Sequence, residues 1–285
     1  MRIGAVNYLN SKPLIYGLEE LAPHARLGCD LPSRLADALA AGRLDVALVP
    51  SIECFRSPHY AVVSDACVAS RGSVLSVKLH FRVPPAEVRR LALDEGSRTS
   101  AALARILLEE LAGVSPQCER LPIGCGLGDT DADAVLMIGD RAMVAQQPDV
   151  GGAESIRSSP PASSSFTDVW DLGERWTAWT GLPFVFAMWV ARADVETSEI
   201  TRCLAAARDQ GVAHLDEIAA REAPPLGISV ELATLYLRDN LHFTLGDREL
   251  RGLQRFGQLC AERDLVADVA NPSLEQLYAD SCTTK

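Results

Sequence analysis

An α/β protein of two lobes facing each other across a cleft is the fold class that the sequence predicts, and three observations carry it. Strand and helix signals alternate over residues 3–53 and again over 90–143. Each series leaves a buried strand through a polar stretch that opens a helix, Asn7–Ser11 in the first and Asp94–Ser100 in the second. A further apolar run, Phe184–Val190, then leads into a helical tail. This is the pattern of open sheets with helices on their faces, and 285 residues are enough for two modest domains. One lobe is expected over 1–82 and 187–285. The other, over 83–186, is inserted through Val77–Arg82 and left through Phe184–Val190.

Ile3–Val6 reads as a buried strand, and Pro13 can open a helix over about 13–21, because its fixed φ suits a first helical position. A strand near Ala25–Gly28 follows. The helix introduced by Pro32-Ser33 runs through Leu35 and Leu39 and ends at Gly42, a suitable C-cap. Asp45–Pro50 is the next buried strand, with Ser51 leaving its carboxyl end. Ligands of open parallel sheets collect at that edge, where Asn7–Lys12 and Ser51 both fall. Ala61–Ala69 and Val74–Phe81 read as strands joined by Ser70–Ser73. The second series holds a strand at Arg90–Leu93, the turn Asp94–Ser100, and a helix over Ala101–Leu111 closed by Gly113. It ends in an apolar strand, Asp133–Ile138, that runs into Gly139-Asp140-Arg141. In both series hydroxyl residues stand at a helix start, where they either cap backbone N–H groups or bind an anion. Residues 146–168, with the Ser/Pro-rich stretch 155–165, read as a surface loop. In the tail, Leu250, Leu253, Phe256, Leu259 and Cys260 mark one face of a helix over 247–263.

Composition narrows the function. Hydrophobic residues make up 48% and charged residues 23% of the chain, the balance of a globular protein. A net charge of −11 argues against nucleic acid or an anionic membrane as the partner, yet leaves room for an acidic small molecule in a locally positive cleft. The longest apolar run, Leu182–Ala191, is about half the ~20 residues that a spanning helix needs. Met1 is followed at once by strand residues, without a signal-peptide pattern. The eight cysteines form no C-x-x-C pair and read as reduced, mostly buried thiols. A cytoplasmic protein, monomer or homodimer, is expected.

Other chemistries find little support. The run Gly124-Cys125-Gly126-Leu127-Gly128 precedes a strand rather than a helix and lacks Gly-Lys-Ser/Thr, so it fails the context of a nucleotide loop. The five histidines are scattered without ligand spacing, and no Gly-x-Ser-x-Gly elbow is present. Neither a metal nor a cofactor is expected. Trp176 and Trp179 read as packing.

Five motifs occur in an order that carries a family resemblance: Val6–Leu14, Asp45–Glu53, Ser97-Arg98-Thr99-Ser100, Ile138–Ala142 and Trp179–Phe184. Together they resemble the chorismate dehydratases of the futalosine route to menaquinone, over nearly the whole chain. The resemblance implies the two-lobed fold of type 2 periplasmic binding proteins, with a ligand cleft between the lobes, used by a cytoplasmic enzyme. It implies dehydration of chorismate to 3-[(1-carboxyvinyl)oxy]benzoate, in which loss of the C3 proton and the C4 hydroxyl makes the ring aromatic. Charge develops toward the ring carboxylate, where preorganised donors would stabilise it. In the family, the substrate's own enolpyruvyl carboxylate is the proposed base.

Carried over residue by residue, Asn10 matches the family's active-site asparagine and Ser76 its active-site serine. Asn10 can hold the leaving hydroxyl or a carboxylate. Ser97, Thr99 and Ser100 would grip one carboxylate at a helix start, unless they are a plain capping box. Arg98 either neutralises that carboxylate or points outward. Ser11, Ser51, Gly139 and Asp140 fall at strand ends facing the same cleft, Asp140 being equally readable as a cap or ion-pair partner. The Ser/Pro loop is not part of the family's pattern. Two other readings stay open: a non-catalytic solute-binding protein for a small carboxylate, and the sister dihydroxynaphthoate synthase. The latter family's Ser-Pro-Cys-Pro-Asn-Asp-Thr-like start is absent here.

Overall fold

Strands made almost wholly of Val, Leu, Ile and Ala need cover on both faces, and two such sheets form the centres of two lobes. The protein is described here by a computed structural model covering residues 1–144 and 166–266; the Ser/Pro-rich stretch 155–165 lies outside the described residues. The first series comprises β1 (Arg2–Val6), a 3-10 turn (Leu9–Ile15), α1 (Leu18–Leu21), β2 (Arg26–Asp30), α2 (Pro32–Ala40), β3 (Val46–Pro50), α3 (Glu53–Arg56) and the long β4 (Tyr60–Ser70). The second comprises β5 (Val77–Phe81), β6 (Arg90–Asp94), α4 (Thr99–Ala112), β7 (Gln117–Leu121), β8 (Ala134–Ile138), α5 (Asp140–Val144), β9 (Asp168–Asp171) and α6 (Leu172–Thr180). The chain then returns through β10 (Phe184–Arg192) to α7 (Ser198–Ala213), α8 (Leu215–Leu226), α9 (Val230–Leu235), a π turn (Tyr236–Asn240), β11 (His242–Thr244) and α10 (Asp247–Ala261).

Among the described residues the strands form a six-stranded sheet in the order β11-β4-β10-β3-β1-β2 and a five-stranded sheet in the order β7-β6-β8-β5-β9. The β2-β1-β3 and β7-β6-β8 portions are parallel. The strands that carry the chain between lobes, β4 and β10, lie antiparallel and side by side. Sheet membership changes between Ser70 and Val77 and returns between Asp171 and Phe184. Val77–Phe81 therefore pairs with β8 and β9 of the second sheet, a few residues ahead of the boundary read from the sequence.

Two other boundaries differ for local reasons. The expected helix over 13–21 is a 3-10 turn and one short helix, divided at Gly17, whose φ of +66° is left-handed. The strand expected from Val74 begins only at Val77, because Leu75 has φ +59° and cannot extend. Where the sheets meet, Trp176 is fully buried against Trp179, Phe184 and Phe256 in edge-to-face contacts, which bears out the packing role of that pair. The seven described cysteines are unpaired; Cys54, Cys67 and Cys260 are buried, while Cys29 and Cys118 are exposed, against the expectation of burial.

The 3-10 turn that carries Asn10 is seated by α7. Gly211 of that helix lies so close to the turn that a Cβ there would stand 2.0 Å from the Pro13 carbonyl oxygen. Gly211→Ala is therefore expected to destabilise the protein by about 2 kcal/mol or more, measured by urea unfolding. An unchanged midpoint would show that the turn is not seated this way.

Candidate active site

The polar break after β1 is a tightly bonded turn. Ser11 is fully buried, and its hydroxyl reaches the Val6 carbonyl and the Tyr8 carbonyl, the latter at 2.9 Å. With its hydrogen bonding spent on the backbone, Ser11 shapes the turn rather than meeting a ligand. Asn10 is thereby presented to the cleft, and its Oδ1 is buried without a protein partner. Buried acceptors are rarely left unpaired, so this oxygen is placed for a donor that the protein does not supply.

Ser76 comes to the same cleft from the crossover between lobes. Its N–H donates to the Val74 carbonyl (2.7 Å) across Leu75, whose positive φ makes this the rare, strained form of γ-turn. The Asp171 carboxylate holds that turn, accepting from Val74 N–H (2.9 Å), Leu75 N–H (2.7 Å) and Ser73 Oγ–H (2.8 Å). The same carboxylate caps α6 through Glu174 N–H (3.1 Å). Beyond the turn, Ser76 Oγ accepts from the Tyr236 hydroxyl (2.7 Å) and Ser76 carbonyl from Gly139 N–H (2.9 Å).

The third contributor is the start of α4. A helix start leaves its first N–H groups without intrahelical partners and carries roughly half a positive charge. Ser97 Oγ takes one of these groups, Ser100 N–H (3.1 Å), so the capping reading holds for Ser97, which also lines the cleft. Thr99 Oγ1 accepts from Ile52 N–H (3.2 Å) and lies 3.4 Å from Ser51 Oγ, tying α4 to the end of β3.

These elements line a narrow cleft with about 50 Å³ of free space, bordered by Tyr8, Asn10, Ser76, Ser97, Thr99, Ser100 and Gly139, with apolar walls from Val6, Val68, Ile138 and Phe186 among others. Among the described residues no lysine, arginine or histidine lines it. Its polar surface is hydroxyls, one carboxamide and backbone, suited to an anion held by uncharged donors. Phe186 reaches it because the β4–β10 register slips between Val185 and Ala187, a bulge that re-aims one side chain.

Four residues expected at the site stand behind its wall. Ser11 has been accounted for. Ser51 Oγ donates to the Val185 carbonyl (2.7 Å). Arg98 points outward, pairing with Asp37 (2.6 Å) and Glu53 (3.3 Å). Asp140 accepts Leu9 N–H at 3.1 and 3.3 Å, fastening the Asn10 turn of one lobe to the first turn of α5 in the other.

Sequence reading missed Tyr8, Tyr236 and Asp171. Tyr8 reaches across the cleft with its ring on Gly139. A Cβ at Gly139 would come within 2.8 Å of that ring, and the φ there is +71°. Burial, then the nearby Asp94, pushes the Tyr8 phenol up to about 12, so it remains a donor. Below it, buried Asp94 pairs with Arg141 and accepts Gly96 N–H (2.9 Å) and Ile138 N–H (3.3 Å). Tyr8 stood inside the first motif, whereas nothing local marks Tyr236. Among the described residues no group of three or more His, Cys, Asp or Glu could hold a metal ion.

Fold and cleft together define a two-lobed, periplasmic-binding-protein-like chain with an anion-suited site between its sheets. Solved structures share the fold. A protein of Archaeoglobus fulgidus aligns over 93% of this chain and 98% of its own, with TM-score 0.71 at 13% identity. The periplasmic aliphatic sulphonate binding protein of Escherichia coli aligns over 94% and 89%, with TM-score 0.59 at 16% identity. The chain belongs to the menaquinone biosynthesis family, whose model matches residues 1–262. A chorismate dehydratase of Thermus thermophilus is 32% identical over 258 residues, 90% of this chain and 93% of the relative.

Burial raises the Asp140 carboxyl to about 6, and the Leu9 N–H offsets this only in part. Because the folded value exceeds the unfolded one, the native state binds the proton more tightly. The stability it contributes is full below about pH 4 and is lost as pH rises through about 6. Asp140→Asn keeps an acceptor for Leu9 and removes the charge. Its stability advantage over the parent should grow by about 1 kcal/mol between pH 5 and pH 7.5, read by urea unfolding. Parallel pH profiles for the two proteins would contradict the assignment.

Proposed function

We propose that this chain is a chorismate dehydratase, converting chorismate to 3-[(1-carboxyvinyl)oxy]benzoate and water in menaquinone biosynthesis. The observation that carries the reading is the convergence of Asn10, Ser76 and the α4 start on one cleft that, among the described residues, no lysine, arginine or histidine lines, in a chain of this family. The substrate is a diacid with a ring hydroxyl. Removal of the C3 proton sends an electron pair through the diene toward the ring carboxylate; expulsion of the C4 hydroxyl as water then leaves an aromatic ring. Carbon gains or loses nothing but the elements of water, so the reaction needs no redox partner.

The donors at the cleft fit this course. Hydroxyls of Ser76 and Ser100 line the cleft with the first turn of α4, and such donors would stabilise a carboxylate on which charge accumulates in the transition state. Asn10 Oδ1, buried and unpaired, suits the hydroxyl proton of the substrate, and a carboxylate ligand alone would offer it nothing. Among the described residues no carboxylate lines the cleft, and Asp94, Asp140 and Asp171 beside it are committed to the scaffold, which fits removal of the proton by the substrate's own enolpyruvyl carboxylate. The reading carries with it a cytoplasmic location, as monomer or homodimer, without a nucleic-acid or membrane partner. Among the described residues no helix is long and apolar enough to cross a membrane. A purely solute-binding role and the sister synthase are not favoured by the family and the dehydratase relative.

Purified protein incubated with chorismate should deplete the diene absorbance and give a product lighter by one water in mass spectrometry. Unchanged chorismate would refute the proposal. Asn10→Asp should lower kcat by about 100-fold or more, because a carboxylate would face a diacid, with melting temperature nearly unchanged. Full activity in that variant would remove Asn10 from the site.

A further inference from the structure

We propose that Tyr236 is a positioning residue that fixes the Ser76 hydroxyl as a donor to the bound ligand. Tyr236 is fully buried and does not line the cleft, so it acts through Ser76. Its hydroxyl stands 2.7 Å from Ser76 Oγ. A phenol is the stronger acid of the two and a serine oxygen the better acceptor, which sets the direction from Tyr236 to Ser76. With its oxygen occupied on that side, Ser76 has one proton left to place. Among the described residues it has no protein acceptor for that proton, and it lines the cleft.

A serine free to rotate can offer a ligand either its proton or its lone pairs. A carboxylate accepts only the proton. Tyr236 removes the wrong choice before the ligand arrives, the kind of preorganisation that lowers the reorganisation needed in reaction. Burial keeps the phenol protonated far above its ordinary range, and the donor is present at every working pH.

The backbone around Tyr236 supports the role. It opens the π turn, an element often found at functional sites. From the other end of that turn, Asn240 Nδ2 donates to the Ser73 carbonyl (2.9 Å). The turn thus grips the crossover at Ser73 and at Ser76, while Asp171 grips the residues between.

The proposal rests on the dehydratase reading for its probe, and a double-mutant cycle tests it. Tyr236→Phe should weaken binding of 3-[(1-carboxyvinyl)oxy]benzoate, read by calorimetry, and lower kcat/KM by about 10-fold in the parent background. In Ser76→Ala the same change should weaken product binding less than about 2-fold, since no hydroxyl remains to orient. A merely structural tyrosine would cause equal losses in both backgrounds; that result, or no loss in either, overturns the proposal. Should Tyr236→Phe fail to fold, fluorotyrosine in place of Tyr236 keeps the packing and strengthens the donor. Product affinity should then rise only where Ser76 is present, and no difference between backgrounds overturns the proposal. A parent that converts chorismate while the cycle is flat defeats the positioning role alone. A parent that ignores both chorismate and the product defeats the functional reading and this proposal with it.

Discussion

The chain leaves its first sheet at Ser70 and enters its second at Val77, and the conformation of that passage rests on the carboxylate of Asp171. A left-handed leucine inside a γ-turn is strained by about 1–3 kcal/mol. Hydrogen bonds to a charged acceptor contribute about 1.5–3 kcal/mol each, and Asp171 accepts from Val74, Leu75 and Ser73. The bonds outweigh the strain, and the turn persists. Its consequence is local and functional: the next residue, Ser76, faces the cleft instead of continuing a strand. From Ser76 the hydrogen bonds spread to Gly139 in one lobe and Tyr236 in the other.

A cleft without cations treats an anion differently from one lined by arginines. Fixed positive charge binds substrate and transition state alike, and uniform binding does not speed the chemical step. Hydroxyls and a helix start are weaker partners for a resting carboxylate. Their hydrogen bonds strengthen as charge accumulates on it, and their orientation is set in advance. The charged pairs of the neighbourhood, Asp94 with Arg141 and Arg98 with Glu53 and Asp37, are spent on the scaffold behind the wall. Asp140 belongs to the same scaffold, and its burial is the energetic strain that accompanies fastening the two lobes together at Leu9.

Much of the fold was legible because its central strands are short, wholly apolar and bounded by polar turns, as at Val46–Pro50 and Ala134–Ile138. The missed strands lack that signature. β7 reads Gln-Cys-Glu-Arg-Leu, β9 Asp-Val-Trp-Asp, and β11, inside the tail expected to be helical throughout, His-Phe-Thr; all three are edge strands, where one side needs no burial. Asn10, Ser76, Ser97, Thr99, Ser100 and Gly139 were expected at the site and line one cleft. Ser11, Ser51, Arg98 and Asp140 have the right chemistry and the right strand ends, but spacing along a chain does not say on which side of a turn a side chain emerges. Tyr236 was beyond reach for a plainer reason: an apolar-looking helix residue gives no sign that its hydroxyl meets a serine from the opposite half of the sequence.

The account stands or falls on where the diacid sits. A crystal structure with 3-[(1-carboxyvinyl)oxy]benzoate should place the molecule between the two sheets, with one carboxylate at Ser76 or the start of α4 and no lysine or arginine in contact with either carboxylate. A product molecule bound elsewhere, or held in the cleft by a cation swung in from Arg98 or Arg141, would contradict it.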